Sequence, residues 1–326
     1  MGAFLPVKTV SALVKRWYHR YITKAVPELI PGRLFSYARG FLLRFGGGWI
    51  IIGKNGNEVH TMTYGFIGTG NMGGALARAL VKTVSPTDIF LNNRTMARAE
   101  ALAAELGAHC ADAETIASSC GCIFLGVKPH LLPGVLAQLR PTLTAREDKP
   151  LLVSMAAGVT IAAIEQAVPG SAVVRIMPNT ACAVGAGLTL YDTNSAVTQQ
   201  QLDALLRDMA ASGRLEALPE ELIDAGSAVA GCGGAFACLF MEALSDGAVT
   251  CGLPRAKANT FAAQMLLGAA QLALESGKPF GLMKDEICSP GGTTIAGVRA
   301  LEEGGLRAAA MNAVIAAYRR TLELKQ

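Results

Sequence analysis

The sequence predicts an α/β protein, with a Rossmann-like dinucleotide-binding domain followed by an all-α domain. Three observations indicate this. A glycine-rich turn joins a first apolar strand to a helix, strand and helix patterns then alternate, and strand patterns end after Leu222, where Ala- and Leu-rich helices begin. With 326 residues, of which 51% are hydrophobic, the chain can form two cores, and its composition excludes general disorder.

The elements of the first half follow in chain order. We expect strands over 64–67, 88–91, 123–127, 151–154 and 173–176, and helices over 74–84, 98–106, 131–139 and 161–167. Because strands joined through helices lie side by side in one direction, this alternation predicts a parallel sheet with right-handed crossovers.

The second half is predicted to consist of helices over 235–247, 254–276, 293–303 and 306–324. Its two longest uncharged apolar stretches, 225–241 and 258–274, are shorter than the roughly 18 residues of a membrane span, so we expect them to be buried soluble elements. The eight cysteines lie in mostly apolar surroundings, with no Cys-x-x-Cys pair and no histidine at zinc spacing. They predict reduced, buried thiols in a cytoplasmic protein, without a metal site.

Residues 1–61 differ from the rest of the chain. They contain nine Lys and Arg against two Glu, together with both tryptophans, whereas the remaining chain is net acidic. A transit peptide or a membrane-surface helix are possible interpretations. We favour an extension outside the native enzyme, translated from DNA upstream of Met62, since Met62 lies just before the first strand. The predicted domains are therefore 1–61, the nucleotide-binding domain 62–220 and the helical domain 221–326.

The turn after the first strand has the spacing Gly-x-Gly-x-x-Gly, formed by Gly68, Gly70 and Gly73 with Asn71 and Met72 between them. In a strand–turn–helix context this is the dinucleotide fingerprint, in which a pyrophosphate meets free backbone N–H groups at the helix N-terminus. The alternative is a glycine-rich turn without a ligand.

The next strand ends at Asn93, Arg94 and Thr95, where an NAD enzyme would place a carboxylate on the ribose 2′-hydroxyl. No acid is present, and the Arg94 guanidinium suits a 2′-phosphate. We therefore expect NADPH to be preferred, with NADH weaker, although Arg94 could instead be a solvated helix-start arginine.

Loops after later strands of the sheet complete the candidate cofactor site, because ligands bind beyond the carboxyl ends of such strands. They contribute Val127, Lys128, Pro129, Ala156 and Asn179. Lys128 could equally be a solvated charge at the sheet edge.

A Ser-Pro-Gly-Gly-Thr-Thr run at 289–294 opens a predicted helix and gathers backbone donors and hydroxyls around one small space. This favours a pocket for a compact anion. The alternative is simple helix capping by Ser289 or Thr293.

With these motifs, the sequence from Met62 to about Leu324 resembles the pyrroline-5-carboxylate reductases, most specifically at Leu282–Thr294 and at Arg175–Thr180. The resemblance implies reduction of 1-pyrroline-5-carboxylate to proline, the last step of proline synthesis, by an NADPH-dependent homodimer formed through C-terminal helices. It further implies a substrate site of Ser289, Gly291, Gly292, Thr293 and Thr294. There Thr294, the candidate catalytic residue, would hydrogen-bond the ring nitrogen.

The chemistry of that reaction agrees with the residues present. A protonated cyclic imine is already electrophilic, and the body of the chain holds only two histidines, His109 and His130, with no nucleophile–base motif. We expect no nucleic-acid or membrane partner. Two other functions are alternatives: a β-hydroxyacid dehydrogenase, which would need a lysine in 235–246 where none occurs, and a non-catalytic NADPH-binding protein.

Overall fold

The computed structural model describes residues 40–45, 48–53 and 62–323, the first two segments by their backbone alone. The chain divides into two compact units, Met1–Thr61 and Met62–Gln326. In the first unit, β1 (Gly40–Phe45) pairs antiparallel with β2 (Gly48–Gly53). The interpretation of residues 1–48 as a transit peptide or a surface helix lies mostly outside the described residues, and the described segment Gly40–Phe45 is a strand and not a helix.

The second unit is built on an eight-stranded sheet in the order β10-β9-β8-β7-β6-β3-β4-β5. Its strands are β3 (Tyr64–Ile67), β4 (Ile89–Asn92), β5 (His109–Cys110), β6 (Cys122–Leu125), β7 (Leu151–Ser154), β8 (Ala172–Met177), β9 (Gly187–Thr193) and β10 (Gly213–Ala217). Strand β3 lies between β4 and β6, so the strand order reverses there. This reversal creates the crevice in which such sheets bind ligands.

Twelve α-helices accompany these strands among the described residues. Around the sheet lie α1 (Asn71–Leu80), α2 (Met96–Leu106), α3 (Ala113–Ser119), α4 (Leu132–Ala145), α5 (Ile161–Ala167) and α6 (Gln199–Met209). The helical half consists of α7 (Glu220–Ala230), α8 (Gly233–Thr250), α9 (Arg255–Ser276), α10 (Phe280–Ile287), α11 (Thr293–Glu303) and α12 (Leu306–Glu323). The predicted fold class, a Rossmann-like half followed by helices, is confirmed.

The five predicted strands β3, β4, β6, β7 and β8 are parallel to one another, as expected, whereas β9, which the sequence did not predict, changes direction. Strand β9 runs antiparallel to β8, with Val174 opposite Thr193 and Met177 opposite Leu190. Residues 178–186 between them contain only a short 3-10 turn, Thr180–Val184. A parallel neighbour needs a crossover of about a dozen residues or more, so this short connection returns the chain in the opposite direction.

Apolar side chains cover both faces of the sheet. On one face the rings of Phe66 and Phe124 stack with centroids 4.5 Å apart, and on the other Ile67 and Ile123 meet the leucines of α4. Strand β3 is buried along its whole length. Its position, and that of the turn after it, is therefore fixed by packing from both sides.

The apolar stretches 225–241 and 258–274 were expected to be buried, and in the single chain they are mostly exposed. The large exposed side chains include Leu239, Phe261, Leu267 and Leu274. The stretch Glu220–Thr250 is long and apolar enough to cross a membrane by length and composition, with 6% of its apolar window buried. The prediction was wrong because one chain supplies no layer to cover these helices.

The cysteines also differ from the expectation that all of them are buried. Cys120, Cys122 and Cys182 are buried as expected, but Cys110, Cys238 and Cys251 are exposed, and all eight thiols are free. Burial raises the pKa of Cys120 to about 11 and that of Cys122 well above its ordinary value. Two of the three exposed thiols lie on α8 or just after it, on the uncovered helices.

Candidate active site

The glycine-rich turn after β3 is shaped by close backbone contacts. Gly68 adopts a φ of +102°, and a Cβ there would lie 2.6 Å from the Gly126 carbonyl carbon. A Cβ on either Gly73 or Gly126 would lie 2.3 Å from the Gly68 carbonyl oxygen. These three positions therefore accept only glycine without movement of the backbone.

Helix α1 begins at this turn with its first N–H groups uncapped. Gly70 is the N-cap residue, and no side chain accepts a hydrogen bond there. The first-turn N–H groups of a helix have no intrahelical acceptor, so those of Asn71, Met72 and Gly73 are available to a ligand. A Cβ added to Gly70 would meet nothing within 4 Å, which leaves open space in front of them. This geometry suits an anionic pyrophosphate.

The end of β4 lies directly against the turn. The Asn92 carbonyl oxygen accepts hydrogen bonds from the N–H groups of Gly68, at 3.0 Å, and Thr69, at 3.1 Å. Asn93 Nδ2 donates to Thr69 Oγ1 at 3.3 Å, and its Oδ1 accepts from the Thr95 N–H. The structure therefore brings Asn93, Arg94 and Thr95 next to the glycine turn.

Arg94 itself is exposed and pairs with no carboxylate in the part of the chain that the structure describes. Thr95 is the N-cap of α2, and no side chain caps that helix. A permanently charged side chain thus lies next in the chain to the uncapped N-terminus of α2. Both are groups that a phosphate prefers as partners.

The loops after β6 and β7 complete this end of the sheet. The Gly126 N–H donates to the Ile67 carbonyl oxygen at 2.8 Å, so Val127, Lys128 and Pro129 begin beside the glycine turn. Lys128 is exposed at the start of a 3-10 turn, and Ala156 is 3% exposed after β7. The sequence reasoning missed Gly126, and the available signal was a single glycine immediately after a fully apolar strand.

Asn179 has a different position from the other candidate cofactor residues. Its Nδ2 donates to the Ala230 carbonyl oxygen at 2.9 Å, and its Oδ1 accepts from the Leu188 N–H at 3.3 Å. Both ends of the amide are engaged in holding β9 and the end of α7. The side chain is therefore a structural connection between the two halves as well as a candidate ligand contact.

The Ser289–Thr294 run forms the tight entry to α11. Gly291 adopts a φ of +67°, the Gly292 N–H donates to the Ser289 carbonyl oxygen, and a Cβ at Gly292 would lie 2.4 Å from Ser289 Oγ. Gly292 is the N-cap residue, and no side chain caps the helix. The alternative of capping by Ser289 or Thr293 is therefore not what this structure shows, and the first N–H groups of α11 are available to a carboxylate.

These residues form two separate groups in the single chain. The cofactor candidates lie together at the carboxyl ends of β3, β4, β6 and β7, whereas the 289–294 loop is largely exposed and its helix α11 packs on α12. No hydrogen bond or ion pair joins the two groups within the described ranges. The described residues as a whole contain no cluster of three His, Cys, Asp or Glu able to hold a metal.

Comparison with known proteins identifies the family to which the chain belongs. A family model for pyrroline-5-carboxylate reductase dimerisation matches residues 220–324, and one for NADP oxidoreductase, coenzyme F420-dependent, matches residues 63–158. The pyrroline-5-carboxylate reductase of Synechocystis sp. is 40% identical over 263 residues, which cover 80% of this chain and 97% of that protein. The chain belongs to the pyrroline-5-carboxylate reductase family.

Two solved pyrroline-5-carboxylate reductases are similar in structure. The enzyme of Coxiella burnetii matches with a TM-score of 0.74 and 32% identity, over 82% of this chain and all of that one. The enzyme of Plasmodium falciparum, solved with NADP bound, matches with a TM-score of 0.71 and 29% identity, over 81% of this chain and 98% of that one. The present reductase is accordingly an NAD(P)-dependent oxidoreductase that converts 1-pyrroline-5-carboxylate to proline.

The glycine turn provides the first test. Gly73→Ala places a Cβ against the Gly68 carbonyl oxygen, so we expect a loss of about 1–3 kcal/mol of stability. We also expect a rise of roughly tenfold in the dissociation constant of the nicotinamide dinucleotide, equivalent to about 1.4 kcal/mol. Thermal unfolding and fluorescence titration measure the two effects.

The matched control is Gly134→Ala, since Gly134 lies exposed in α4 and a Cβ there meets nothing within 4 Å. This change is expected to leave cofactor binding unaltered and stability equal or slightly higher. Equal behaviour of the two variants would contradict the role assigned to the close contact at Gly73.

Proposed function

We propose that this reductase uses NADPH in preference to NADH, binding it at the carboxyl ends of β3, β4, β6 and β7. The observation that carries the preference is Arg94, an exposed and unpaired guanidinium beside Asn93 and Thr95, where no carboxylate is available for a ribose 2′-hydroxyl. The NADP held by the Plasmodium falciparum relative supports the same cofactor. Gly68, Gly70, Asn71, Met72 and Gly73 would hold the pyrophosphate, with Val127–Pro129, Ala156 and Asn179 towards the nicotinamide.

We expect Arg94→Ala to lower kcat/KM for NADPH roughly tenfold or more, because a hydrogen bond to a charged group contributes about 1.5–3 kcal/mol. The value for NADH is expected to stay nearly constant, since NADH has no 2′-phosphate. The control is Arg140→Ala, which removes an exposed arginine on α4, away from Arg94 in the chain. It should change kcat/KM for neither cofactor. Equal losses with the two cofactors, or none with NADPH, would count against this role of Arg94.

The substrate site is proposed at the entry to α11. 1-Pyrroline-5-carboxylate carries one carboxylate, which fits the uncapped N–H groups of Thr293 and Thr294 behind the Gly291–Gly292 turn. The Thr294 hydroxyl would hydrogen-bond the ring nitrogen, and Ser289 would line the same pocket. When bound, NADPH supplies the hydride that reduces the imine carbon. The protein contributes positioning, because the protonated imine needs no strong acid from it.

Thr294→Ala is expected to lower kcat/KM for 1-pyrroline-5-carboxylate by roughly 5- to 30-fold, corresponding to one or two kcal/mol of lost orientation. Thr294→Ser keeps the hydroxyl and should retain most of the activity. Steady-state kinetics at saturating NADPH provide the measurement. If serine and alanine lower the rate equally, the hydroxyl has no role in orienting substrate.

We further propose that the active enzyme is a cytoplasmic homodimer. Leu239, Phe261 and Leu274 are 68%, 57% and 74% exposed on helices that fall within the dimerisation match. Large exposed apolar side chains in such number on two helices indicate a protein contact. A second copy would cover α8 and α9, and would also close the exposed 289–294 loop into a site. On this account the apolar stretch Glu220–Thr250 packs against protein and does not span a membrane.

Leu239→Glu places a charge on that surface and is expected to convert the dimer to monomer with loss of most turnover. Val184→Glu, at a valine that is 77% exposed beyond β8, is the control outside the helical half. Sedimentation velocity and turnover are measured on the same samples. A monomeric wild-type enzyme with full activity would overturn the dimer proposal.

The activity itself is tested by NADPH oxidation with 1-pyrroline-5-carboxylate, with proline quantified as product. The same protein is offered 3-hydroxyisobutyrate with NADP⁺, which tests the β-hydroxyacid dehydrogenase alternative. No lysine occurs in α8, where that chemistry would need one. We expect turnover with 1-pyrroline-5-carboxylate and none with 3-hydroxyisobutyrate. Turnover with 3-hydroxyisobutyrate alone would contradict the proposed function and favour the dehydrogenase.

A further inference from the structure

A buried ion-pair cluster joins the sheet to the first helix of the helical half. Arg175, on β8, has a side chain that is 1% exposed. Its Nη1 lies 3.1 Å from Glu220 Oε1, and its Nη2 lies 2.9 Å from Asp224 Oδ1. Both acids belong to the first turns of α7. One guanidinium therefore fixes the beginning of α7 against the end of the sheet.

Glu220 extends this cluster to two other strand ends. The same Oε1 accepts the N–H of Ile161, the first residue of α5, at 2.8 Å. The Glu220 N–H donates to Asp192 Oδ2, on β9, at 2.7 Å. Helix α5 directly follows the loop that contains Ala156. Glu220 thus links α7 to Arg175 and to the start of α5 through its carboxylate, and to β9 through its backbone N–H.

The other end of α7 is held from the same strand. Asn179, two residues beyond β8, donates to the carbonyl oxygen of Ala230, the last residue of α7. Helix α7 is about 16 Å long, so Arg175 and Asn179 hold it at two well-separated points. A rigid helix held at two points has its direction fixed, and α8 follows it after only two residues.

We infer that Arg175, with Glu220 and Asp224, forms with Asn179 a two-point clamp that orients the helical half relative to the nicotinamide. Arg175 is thus a positioning residue for hydride transfer, although it touches neither reactant. This inference rests on the proposed cofactor and substrate sites. A buried charge cluster is a costly way to gain stability alone, and its geometric specificity is what distinguishes it from apolar packing. Small errors in the alignment of reacting atoms can cost as much as about 100-fold in rate.

The test uses Arg175→Lys, which keeps the charge but not the fork that reaches both carboxylates, and the milder Glu220→Gln, which keeps the shape and one accepting oxygen but removes the charge. We expect kcat per NADPH-binding site to fall roughly 10- to 100-fold for Arg175→Lys and less for Glu220→Gln. The NADPH dissociation constant should change less than about twofold. With NADPH deuterated at the nicotinamide C4, the isotope effect on kcat should rise, because hydride transfer becomes slower relative to other steps.

The matched control is Arg146→Lys. The Arg146 side chain is 10% exposed and its Nη1 donates to the carbonyl oxygens of Ala117 and Cys120, far along the chain from α7. We expect it to lower Tm without changing the isotope effect. If the variants of Arg175 and Glu220 likewise lower Tm alone, or if their loss of rate follows weaker NADPH binding, the clamp is wrong. If Arg175→Lys fails to fold, the rate, isotope effect and Tm of Glu220→Gln decide whether the clamp positions the reactants.

Amide hydrogen exchange separates this inference from the proposed function, since it needs no substrate. Exchange across Glu220–Ala230 should accelerate in the clamp variants and not in Arg146→Lys. Unchanged exchange there would contradict the clamp even in an active enzyme. A wild-type protein that fails to oxidise NADPH would instead contradict the proposed function.

Discussion

The site depends on the close approach of three backbone segments at Gly68, Gly73 and Gly126. The Gly68 carbonyl oxygen lies where a side chain on either of the other two glycines would have to be. This contact holds the helix N-terminus, the end of β3 and the loop after β6 within one small volume. The sheet on both sides makes the contact rigid, because β3 and β6 are buried along their entire length. A nucleotide can therefore be held by backbone donors whose positions side-chain motion does not alter.

The helical half differs from the sheet half, because a single chain does not cover its apolar surface. Its helices are apolar on faces that a single chain leaves exposed, and the 289–294 turn, the proposed substrate site, lies on that half. The sheet half pairs most of its buried polar groups within itself, with Arg175 Nε and Ser212 Oγ as exceptions among the described residues. Tyr64, for example, donates to Asp208 at 2.6 Å, and its burial keeps the pKa of the phenol above its ordinary value. The proposed reaction site would therefore take one part from folding of the sheet half and the other from assembly of the helical half.

Some of this organisation follows directly from residue patterns. The strands Tyr64–Ile67 and Leu151–Ser154 and the helices Ile161–Ala167 and Thr293–Glu303 lie where their apolar runs and breakers place them. Strand β9 was missed because Gly187–Thr193 mixes polar and apolar residues on a strand that is buried only in part. The burial of 225–241 and 258–274 was misjudged because apolarity predicts that a surface is covered, without specifying which chain covers it.

The ion pairs between the two halves could not be predicted from the sequence, because their partners are far apart in the chain. Arg175 lies in an apolar strand, and its partners are 45 and 49 residues away in the chain. Neither local propensity nor periodicity carries information on such a pair. The roles of the glycines were more accessible, since a fixed spacing in a strand–turn–helix context reflects a local steric requirement.

A crystal structure of the enzyme with NADPH and proline tests the account most directly. It predicts the pyrophosphate on the N–H groups of Asn71–Gly73 and the proline carboxylate on those of Thr293 and Thr294, with the proline ring facing the nicotinamide. Proline bound elsewhere, or a nucleotide that does not contact the glycine turn, would contradict it.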